Sequence, residues 1–429
     1  MRRLAVLSLH TSPLAQPGTG DGGGMNVYVR ELSSALARAG VACDVYTRRD
    51  REDMPDTVFV EPGFEVHYVT AGPTASVPKE RLHEHVEEFT EGVLAHMTGE
   101  VSRPRAPGSG SFGALEDGAS AVHANYWLSG LAGHVIKHRL DVPLVSTFHT
   151  LDRVKAVFSP EEEEAAAGTR RAEAEATIIG CSDALLASCE VELEQLVELY
   201  GADSERIEIV PLGVDHAFFS PGDRRMAQRA IGLDDRSGPL LLFVGRIQPL
   251  KGADVAVRAL AALPAGGVAD ARLVIVGGPS GPHGEEEMAA LHDLVSTLGL
   301  EARVTFSPPQ PHELLSTYYR AADCCVVPSR SESFGLVALE GSACGVPVVA
   351  AAVGGLTTLV QDGRNGYLVE SGDVDAFAKR VAEIVSDPIL QAELGAGGAA
   401  MARGYTWATA ATRLRSLYTD LTCRQLVEC

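Results

Sequence analysis

Two cations follow an apolar segment in the second half of the chain. Arg246 and Lys251 lie in the sequence GRIQPLKG, directly after the apolar run that ends at Val244. Ligands of open parallel sheets bind beyond the carboxyl ends of the strands. An arginine fork and a lysine point charge at such a position are suited to binding a diphosphate. The alternative is a pair of solvated surface cations, but the net charge of −21 favours a function for cations at a strand end.

Two carboxylates are spaced as E-x7-E further along the chain. If residues 331–340 form one helix, Glu332 and Glu340 are roughly 80° apart around its axis. Both would then face one cleft, with Glu332 at the helix entrance. A carboxylate within an apolar helix requires polar partners, and sugar hydroxyls could supply them. The alternative is that Glu332 interacts with the helix dipole and that Glu340 forms an ion pair in the core.

A glycine-rich segment, GTGDGGGMN at 18–26, precedes a helical pattern. Glycines allow backbone N–H groups to approach a ligand, and a helix N-terminus favours an anion. Gly18, Gly20 and Gly23 formally match GxGxxG. That motif should begin immediately after the first strand, whereas these glycines begin well after it. The segment therefore predicts a loop that contacts an anion or a sugar, in preference to a flexible turn or a dinucleotide site.

Three further groups of residues carry weaker signals. His149 follows an apolar run, where a functional imidazole would belong, although a lone histidine is more often structural. Arg170 and Arg171 belong either to a solvated helix face or to a phosphate site. The sequence DVD at 373–375 has the form of a metal-binding DxD, but its place before a helix favours N-capping. We assign no metal to it.

Composition excludes several classes of protein. The 429 residues carry 36 Lys and Arg against 57 Asp and Glu, which disfavours binding to nucleic acid. No apolar run approaches the roughly 20 residues of a membrane span, and the N-terminal run is shorter than the roughly 7–15 residues of a signal peptide. The eight cysteines show neither CxxC nor zinc-finger spacing. We expect buried thiols in a soluble, cytoplasmic protein.

Short apolar runs alternate with amphipathic stretches, which predicts two doubly wound α/β domains. We place an N-terminal domain at 1–212, a C-terminal domain at 213–405, and a helix at 406–429 that returns to the first domain. The segment 103–118, rich in Pro, Gly and Ser, is predicted to be a surface loop. Predicted strands are 4–9, 41–46, 64–69, 121–124, 142–147, 207–211, 240–244, 272–276, 304–306, 324–327 and 346–350, and predicted helices include 26–39, 169–176, 182–200 and 406–421.

In combination, these motifs resemble the retaining glycosyltransferases of family 4. The order of G-R-x-x-P-x-K-G, E-x7-E and the following GVPV at 345–348 is that of the family. The resemblance implies the GT-B fold, with two Rossmann-like domains facing across a cleft, and a UDP-sugar-dependent hexosyltransferase activity. The segments QPGTGD at 16–21, GGMNVY at 23–28 and YWLSG at 126–130 resemble one branch of the family. That branch moves N-acetylglucosamine from UDP-N-acetylglucosamine to 1D-myo-inositol 3-phosphate in mycothiol biosynthesis.

The resemblance also implies roles for individual residues. Catalytic contributions fall to His149, Arg246, Lys251 and Glu332. Donor contacts fall to Gln16, Pro17, Gly24, Arg246, Lys251, Glu332 and Glu340. Acceptor contacts fall to His10, Asp21, Gly22, Gly23, Gly24, Met25, Asn26, Lys79, Tyr126, Thr150 and Arg171. We prefer Arg171 to Arg170 because Arg171 and Glu175 reproduce a spacing of the family. The resemblance further implies a homodimer and chemistry that requires no cofactor, and it leaves magnesium binding open.

The sequence departs from the family at Asn125, where histidine is usual, and at 74–76, 103–118 and 308–309. Most of these positions belong to the acceptor side. A related transferase with another acceptor, such as sucrose-phosphate-synthase-like or antibiotic-sugar chemistry, is therefore the main alternative. A nicotinamide-dependent oxidoreductase and a non-catalytic sugar-nucleotide sensor are more remote alternatives.

Overall fold

The computed structural model of the chain describes residues 3–18, 20, 22–99, 119–158, 165–233, 238–263, 267–281 and 283–429. The predicted loop 103–118 lies outside these residues. The chain divides into two compact units. Unit 1 contains Met1–Ala15, Met25–Pro211 and Trp407–Cys429, and unit 2 contains Gln16–Gly24 and Leu212–Thr406. Residues 18–24 of the glycine-rich segment thus belong to unit 2, whereas Met25 and Asn26 belong to unit 1.

Unit 1 is built on a mostly parallel sheet in the order β3-β4-β2-β1-β5-β6-β7-β8, in which only the β3–β4 pairing is antiparallel. Its strands are β1 (Arg3–Leu7), β2 (Ala42–Arg48), β3 (Thr57–Glu61), β4 (Phe64–Val69), β5 (Val122–Asn125), β6 (Leu144–Thr147), β7 (Ala184–Ala187) and β8 (Ile207–Ile209). The strand order reverses between β1 and β5. In open parallel sheets this reversal opens a crevice at the carboxyl ends of the strands.

The helices of unit 1 include the C-terminal helix, as the sequence predicts. They are α1 (Gly24–Arg38), α2 (Val86–Met97), α3 (Trp127–Leu140), α4 (Asp152–Phe158), α5 (Ala165–Cys181), α6 (Glu190–Tyr200) and, in the numbering of the whole chain, α15 (Trp407–Leu421), with 3₁₀ turns at Lys79–His85 and Ser204–Arg206. Buried apolar residues of α15 pack into the unit. Its Tyr418 hydroxyl is 2.8 Å from Nδ1 of His123 on β5, which fixes the helix against the sheet.

Unit 2 has a wholly parallel sheet in the order β11-β10-β9-β12-β13-β14, which reverses between β9 and β12. Its strands are β9 (Leu240–Val244), β10 (Arg272–Val276), β11 (Val304–Ser307), β12 (Cys324–Val327), β13 (Val348–Ala351) and β14 (Gly366–Val369). Its helices are α7 (Arg224–Ala230), α8 (Ala253–Ala262), α9 (Gly284–Thr297), α10 (His312–Ala321), α11 (Leu336–Ala343), α12 (Leu356–Leu359), α13 (Val374–Ser386) and α14 (Pro388–Ala402), with a 3₁₀ turn at Pro249–Lys251.

The sheet of unit 2 is covered by helices on both faces, and the sequence of its central strand shows why. In β9, Leu241 and Phe243 join one hydrophobic cluster, whereas Leu240 and Leu242 join another. Successive side chains of a strand point to opposite faces, so a strand buried on both faces must be continuously apolar. The apolar run LLLF therefore requires a helical layer on each side.

Four elements differ from the sequence prediction. The stretch 182–200, predicted as one helix, contains the buried strand β7 before α6 begins at Glu190. The strand ALLA has no sheet-specific pattern, and short apolar runs of this kind do not distinguish strand from helix. Strands β3 and β14 were also not predicted. The helix expected over 331–340 begins only at Leu336, because Gly335 has a φ of 105° that an α-helix cannot contain.

The cysteines also depart in part from expectation. Cys181 and Cys429 form a disulfide, which corrects the prediction that the cysteines are thiols. Cys43, Cys189, Cys324, Cys325 and Cys344 are buried thiols, and Cys423 is an exposed one. Among the helices that the structure describes, none is long and apolar enough to cross a membrane.

Candidate active site

The carboxyl ends of β5 and β6 carry two residues in unusual backbone conformations. Tyr126 has a φ of 75° and His149 a φ of 62°. Positive φ is costly for residues with a side chain, at about 1–3 kcal/mol, and tends to mark functional sites. The Tyr126 backbone N–H donates to the Thr147 carbonyl over 2.8 Å, which holds the turn against the end of β6. Tyr126 follows β5, which borders the point where the strand order reverses, and His149 follows the neighbouring strand β6. Both therefore lie at the edge of the sheet where the crevice of unit 1 opens.

The Tyr126 ring is the centre of a group that we call the Tyr126 cluster: His10, Lys79, Tyr126, Thr150 and Arg171. The Lys79 Nζ lies 4.7 Å from the ring centroid and the Arg171 guanidinium carbon 4.9 Å from it. The His10 ring centroid is 4.6 Å from the same ring. Cations are attracted to the face of an aromatic ring, so the ring holds both of them in place.

The electrostatics of the Tyr126 cluster favour a negative charge. Burial by itself raises the pKa of the Tyr126 hydroxyl, because it penalises the phenolate. The positive charges of Lys79 and Arg171 oppose burial, and the pKa of Tyr126 is lowered overall. At this position the effect of the two positive charges on the pKa is thus larger than the effect of burial.

Arg171 is fixed by a second set of contacts. Its Nε donates to Glu175 over 2.8 Å, and another guanidinium nitrogen donates to the Thr150 carbonyl over 2.8 Å and to its hydroxyl at 3.2 Å. Glu175 is fully buried and also accepts from the backbone N–H of Asp152 over 2.9 Å and from the Tyr200 hydroxyl. Burial by itself lowers the pKa of Arg171. The negative charges of Tyr126 and of the Glu175 and Asp152 carboxylates raise it by more, so the guanidinium stays charged. Arg170, by contrast, is exposed, and one of its guanidinium nitrogens is 2.8 Å from Nε2 of His83.

His149 lies beside the Tyr126 cluster with a defined orientation. Its Nε2 is 2.9 Å from Oδ1 of Asn125, and its ring packs edge-on against Tyr28 at a centroid distance of 4.9 Å. Burial, with a smaller contribution from His123, lowers the pKa of His149 to about 3. The imidazole is therefore neutral at physiological pH. At that pH the ring carries no positive charge.

The glycine-rich segment forms a folded loop within unit 2. The Gly18 N–H donates to the Gly22 carbonyl over 2.9 Å, and Gly18 has a φ of 85°, which glycine adopts readily. The Gln16 amide donates to the Pro309 carbonyl over 2.9 Å, and the Ser280 hydroxyl donates to the Gly20 carbonyl over 2.9 Å. Asp21 lies outside the described residues.

The remaining residues of this segment differ in their surroundings. Gly23 lies against Arg246, since a Cβ there would be 3.4 Å from the Arg246 Nε. Asn26 is buried, and its amide donates to the Thr11 hydroxyl over 2.8 Å and to the Ser12 carbonyl. Met25 packs partly against the core of unit 1. The side chains of these last two residues thus serve the packing of α1.

The cations of unit 2 lie after β9, as the sequence predicts. An Arg246 guanidinium nitrogen is 3.3 Å from the Ser280 hydroxyl. Lys251 ends the 3₁₀ turn Pro249–Lys251, and its Nζ is 2.6 Å from Glu332. Gly252 follows with a φ of 68° and packs so closely on the Pro328 carbonyl that a Cβ would collide with it. The turn is therefore fixed next to the end of β12.

The two carboxylates of E-x7-E occupy different structures. Glu332 lies in the loop before α11, where it also accepts from the Ser329 hydroxyl over 3.2 Å. Glu340 lies on α11 and is 4% exposed. It pairs with Nε2 of His312 at 2.6 Å and accepts from the Tyr319 hydroxyl over 2.8 Å. The expected arrangement of both carboxylates on one helix is therefore wrong, because Gly335 separates them.

The comparisons with known proteins match both units. The family described as glycosyl transferases group 1 matches residues 225–401, and the glycosyl transferase 4-like domain matches residues 23–213. A D-inositol 3-phosphate glycosyltransferase of Acidothermus cellulolyticus is 44% identical over 98% of this chain and 90% of its own length. One from Xylanimonas cellulosilytica is 45% identical over 99% and 98%. The chain belongs to the group 1 glycosyltransferases. The oxidoreductase alternative is thereby excluded.

Solved structures of glycosyltransferases share the fold. Sucrose-phosphate synthase from Thermosynechococcus elongatus superposes with a TM-score of 0.86 at 32% identity, covering 99% of this chain and all of that one. The lipopolysaccharide glycosyltransferase WaaG superposes with a TM-score of 0.70 at 19% identity, covering 97% and 99%. This glycosyltransferase has the two-domain GT-B fold that its sequence predicts.

Sequence reasoning missed several polar residues of this glycosyltransferase. His312 and Tyr319, the partners of Glu340, lie about two helical turns apart on α10. The strand β12 separates α10 from the helix that carries Glu340. Ser280 bridges Arg246 and the Gly20 carbonyl, and its place in a glycine-rich motif gives no sign of this role. A buried carboxylate requires hydrogen-bond donors, so the sequence indicates that Glu340 has polar partners. No local spacing identifies which donors they are.

Proposed function

We propose that this glycosyltransferase moves N-acetylglucosamine from UDP-N-acetylglucosamine to 1D-myo-inositol 3-phosphate with retention of configuration. The reaction releases UDP and is the first glycosylation step of mycothiol biosynthesis. The curated relatives from Acidothermus and Xylanimonas are D-inositol 3-phosphate glycosyltransferases, which supports the acceptor. The donor follows from the resemblance of the sequence motifs to the same branch of the family.

The Tyr126 cluster is the observation that carries the proposal. In a chain of net charge −21, Lys79 and Arg171 are brought to one aromatic ring, and together they lower the pKa of its hydroxyl against the effect of burial. A site that stabilises a phenolate also stabilises a phosphate monoester. We assign the acceptor phosphate to Lys79, Tyr126, Thr150 and Arg171, and contacts with the inositol ring to His10.

The donor is assigned to unit 2. Arg246 and Lys251 bind the diphosphate, Glu340 the ribose hydroxyls and Glu332 the hydroxyls of the transferred sugar, with Gln16, Pro17 and Gly24 as further contacts. Lys251 is already paired with Glu332, so the sugar and the diphosphate are bound by two partners of one ion pair. This pairing positions the lysine before the diphosphate arrives, which reduces the cost of ordering it.

The proposed chemistry depends on stabilising the leaving UDP and uses no nucleophilic side chain of the protein. The bond from the anomeric carbon to the diphosphate oxygen breaks, and a new bond forms from the acceptor hydroxyl oxygen on the same face. The hydroxyl proton passes to the departing phosphate. Fixed cations stabilise the charge that develops on the leaving group. The neutral His149 supports the transferred sugar by hydrogen bonding, and the chemistry requires no metal.

The test measures UDP release and product mass with UDP-N-acetylglucosamine, in the presence and absence of 1D-myo-inositol 3-phosphate. We expect UDP release that depends on the acceptor. The product should have the summed mass of donor and acceptor less the mass of UDP. Unphosphorylated myo-inositol is the matched control and should react far more slowly. Equal rates with both inositols, or transfer only to a different acceptor, would refute the proposed acceptor and leave the family assignment intact. Addition of EDTA should leave the rate unchanged.

A further inference from the structure

Four metal-ligating side chains meet in unit 1, outside the residues assigned to catalysis. They are His134, His138, Cys181 and Cys429, and one ligand atom from each lies within 4.8 Å of the others. Three separate segments supply them: α3, the end of α5 and the segment that follows α15. The proposed transfer reaction uses none of these residues.

The two histidines are arranged as metal ligands usually are on a helix. His134 and His138 are four residues apart on α3, which places them on one face, and their ring centroids are 5.0 Å apart. Nδ1 of His134 is buried and has no hydrogen-bond partner among the described residues.

The distances around His138 match those between ligands of one ion. Its Nε2 is 3.2 Å from Sγ of Cys429 and 3.4 Å from Sγ of Cys181. In a tetrahedral zinc site, with Zn–N of about 2.05 Å and Zn–S of about 2.3 Å, a nitrogen and a sulfur are about 3.6 Å apart. The site therefore needs only small shifts at His138, together with separation of the two sulfurs to about 3.8 Å.

The neighbouring residues hold the ligands together. Lys137 is 2% exposed, and its ammonium group donates to the Cys181 carbonyl over 2.7 Å and to Asp183 over 3.0 Å. It also donates to the Val427 carbonyl over 3.0 Å, and the Val427 N–H donates to Asp183 over 2.7 Å. These bonds fix the segment before Cys429 beside Cys181 independently of any bond between the sulfurs.

We propose that His134, His138, Cys181 and Cys429 bind one Zn²⁺ when the two cysteines are reduced. The disulfide and the zinc site are then two states of the same four residues. A dithiol reductant breaks the sulfur–sulfur bond, gives two electrons and two protons to the cysteines, and is itself oxidised to a disulfide. Both thiols lose their protons to solvent as they bind the ion. Two thiolates with two imidazoles in tetrahedral geometry are the donor set of structural zinc.

The test uses the full chain, free of affinity tag and reduced by a phosphine. After incubation with Zn²⁺ and desalting, metal content should be one equivalent per chain. Co²⁺ in place of zinc should give the visible bands of a tetrahedral ion and a sulfur-to-cobalt charge-transfer band. The melting temperature of the reduced protein should rise with zinc and fall when zinc is removed, because metal binds only the folded site. Oxidised protein should bind no zinc.

Two variants and one control make the outcome specific. Cys429→Ser and His138→Asn should lose the bound metal and the charge-transfer or tetrahedral signature, and both positions are exposed, so neither change endangers folding. Cys423→Ser removes an exposed thiol from the same C-terminal segment and should bind zinc like the unaltered chain. Substoichiometric zinc in the reduced chain, or equal zinc binding in Cys429→Ser and Cys423→Ser, would overturn the proposal.

Discussion

The two units use their charged residues differently. In unit 1, Lys79 lies over the Tyr126 ring and has no carboxylate partner among the described residues, whereas Arg171 is shared between that ring and Glu175. In unit 2, Lys251 is paired directly with Glu332, and Glu340 is paired with His312. A lysine on an aromatic face keeps its charge available for an anion. A lysine in an ion pair must share its charge with the carboxylate, and in return it is held in one position.

This difference implies distinct effects of mutation. Cations of the Tyr126 cluster should govern how tightly an anion binds. The paired residues of unit 2 should govern the stabilisation of charge that develops during the reaction, because a fixed cation needs no reorganisation at that moment. Three experiments test the comparison.

The largest expected effect is that of Lys251→Ala. The turnover number should fall by about 10²–10³, as for the loss of a fixed donor at a developing negative charge. UDP release at saturating concentrations of both substrates measures it. This change also leaves the Glu332 carboxylate without its lysine partner. The double variant Lys251→Ala/Glu332→Gln removes that carboxylate as well, and it should be no more active than Lys251→Ala alone. Arg258→Ala, on the exposed side of α8, is the matched control and should retain full turnover. A similar loss in the control would contradict the assignment.

A smaller effect is expected for Lys79→Ala. The KM for the phosphorylated acceptor should rise by about 10–100-fold, which corresponds to one charge-assisted hydrogen bond of about 1.5–3 kcal/mol. The donor KM should change by no more than about twofold, because the loss is confined to acceptor binding. Initial rates with each substrate varied in turn separate the two values. Arg170→Ala is the control, since Arg170 contacts His83 and not Tyr126. Equal increases in both KM values would refute the comparison.

The smallest effect concerns the acid stability of unit 1. Burial lowers the pKa values of His123 and His149 to about 3, below the value near 6.5 of an unfolded histidine. Between these values the unfolded chain binds more protons, so stability is retained above about pH 6.5 and lost as the pH falls toward 3. Each histidine contributes a slope of about 1.4 kcal/mol per pH unit.

Trp127 and Trp407, the two tryptophans of the chain, both belong to unit 1, so their fluorescence follows the unfolding of this unit. Unfolding should be measured by tryptophan fluorescence between pH 4 and pH 6, with His123→Gln as the variant. Glutamine can replace the hydrogen bonds to Tyr418 and Thr147 but cannot titrate. The variant should show the shallower pH dependence. An unchanged slope would show that His123 is not neutral in the folded protein.

Much of the positioning of these residues follows from the sequence. The apolar runs before Tyr126, His149 and Arg246 are strands, and the parallel topology places the residues after each strand at one edge of its sheet. The N-cap predicted at Asp373 is also present, because its side chain accepts from the backbone N–H of Ala376. Each of these features depends on residues that are close together in the sequence. The family could be predicted for the same reason, since its motifs are short segments with fixed spacing.

Other features depend on residues that are distant in sequence. The partners of Glu340 come from α10, and Gln16–Gly24 belongs to unit 2 although it precedes α1 of unit 1. The four candidate zinc ligands have only one local signal, the four-residue spacing of His134 and His138. Cys181 and Cys429 are 248 positions apart, and only the packing of α15 onto unit 1 brings them together. The sequence by itself therefore determined most strands of both sheets, the strand-end residues and the family. The tertiary structure decided which charges are paired, because side-chain pairing depends on contacts between elements that no local pattern records.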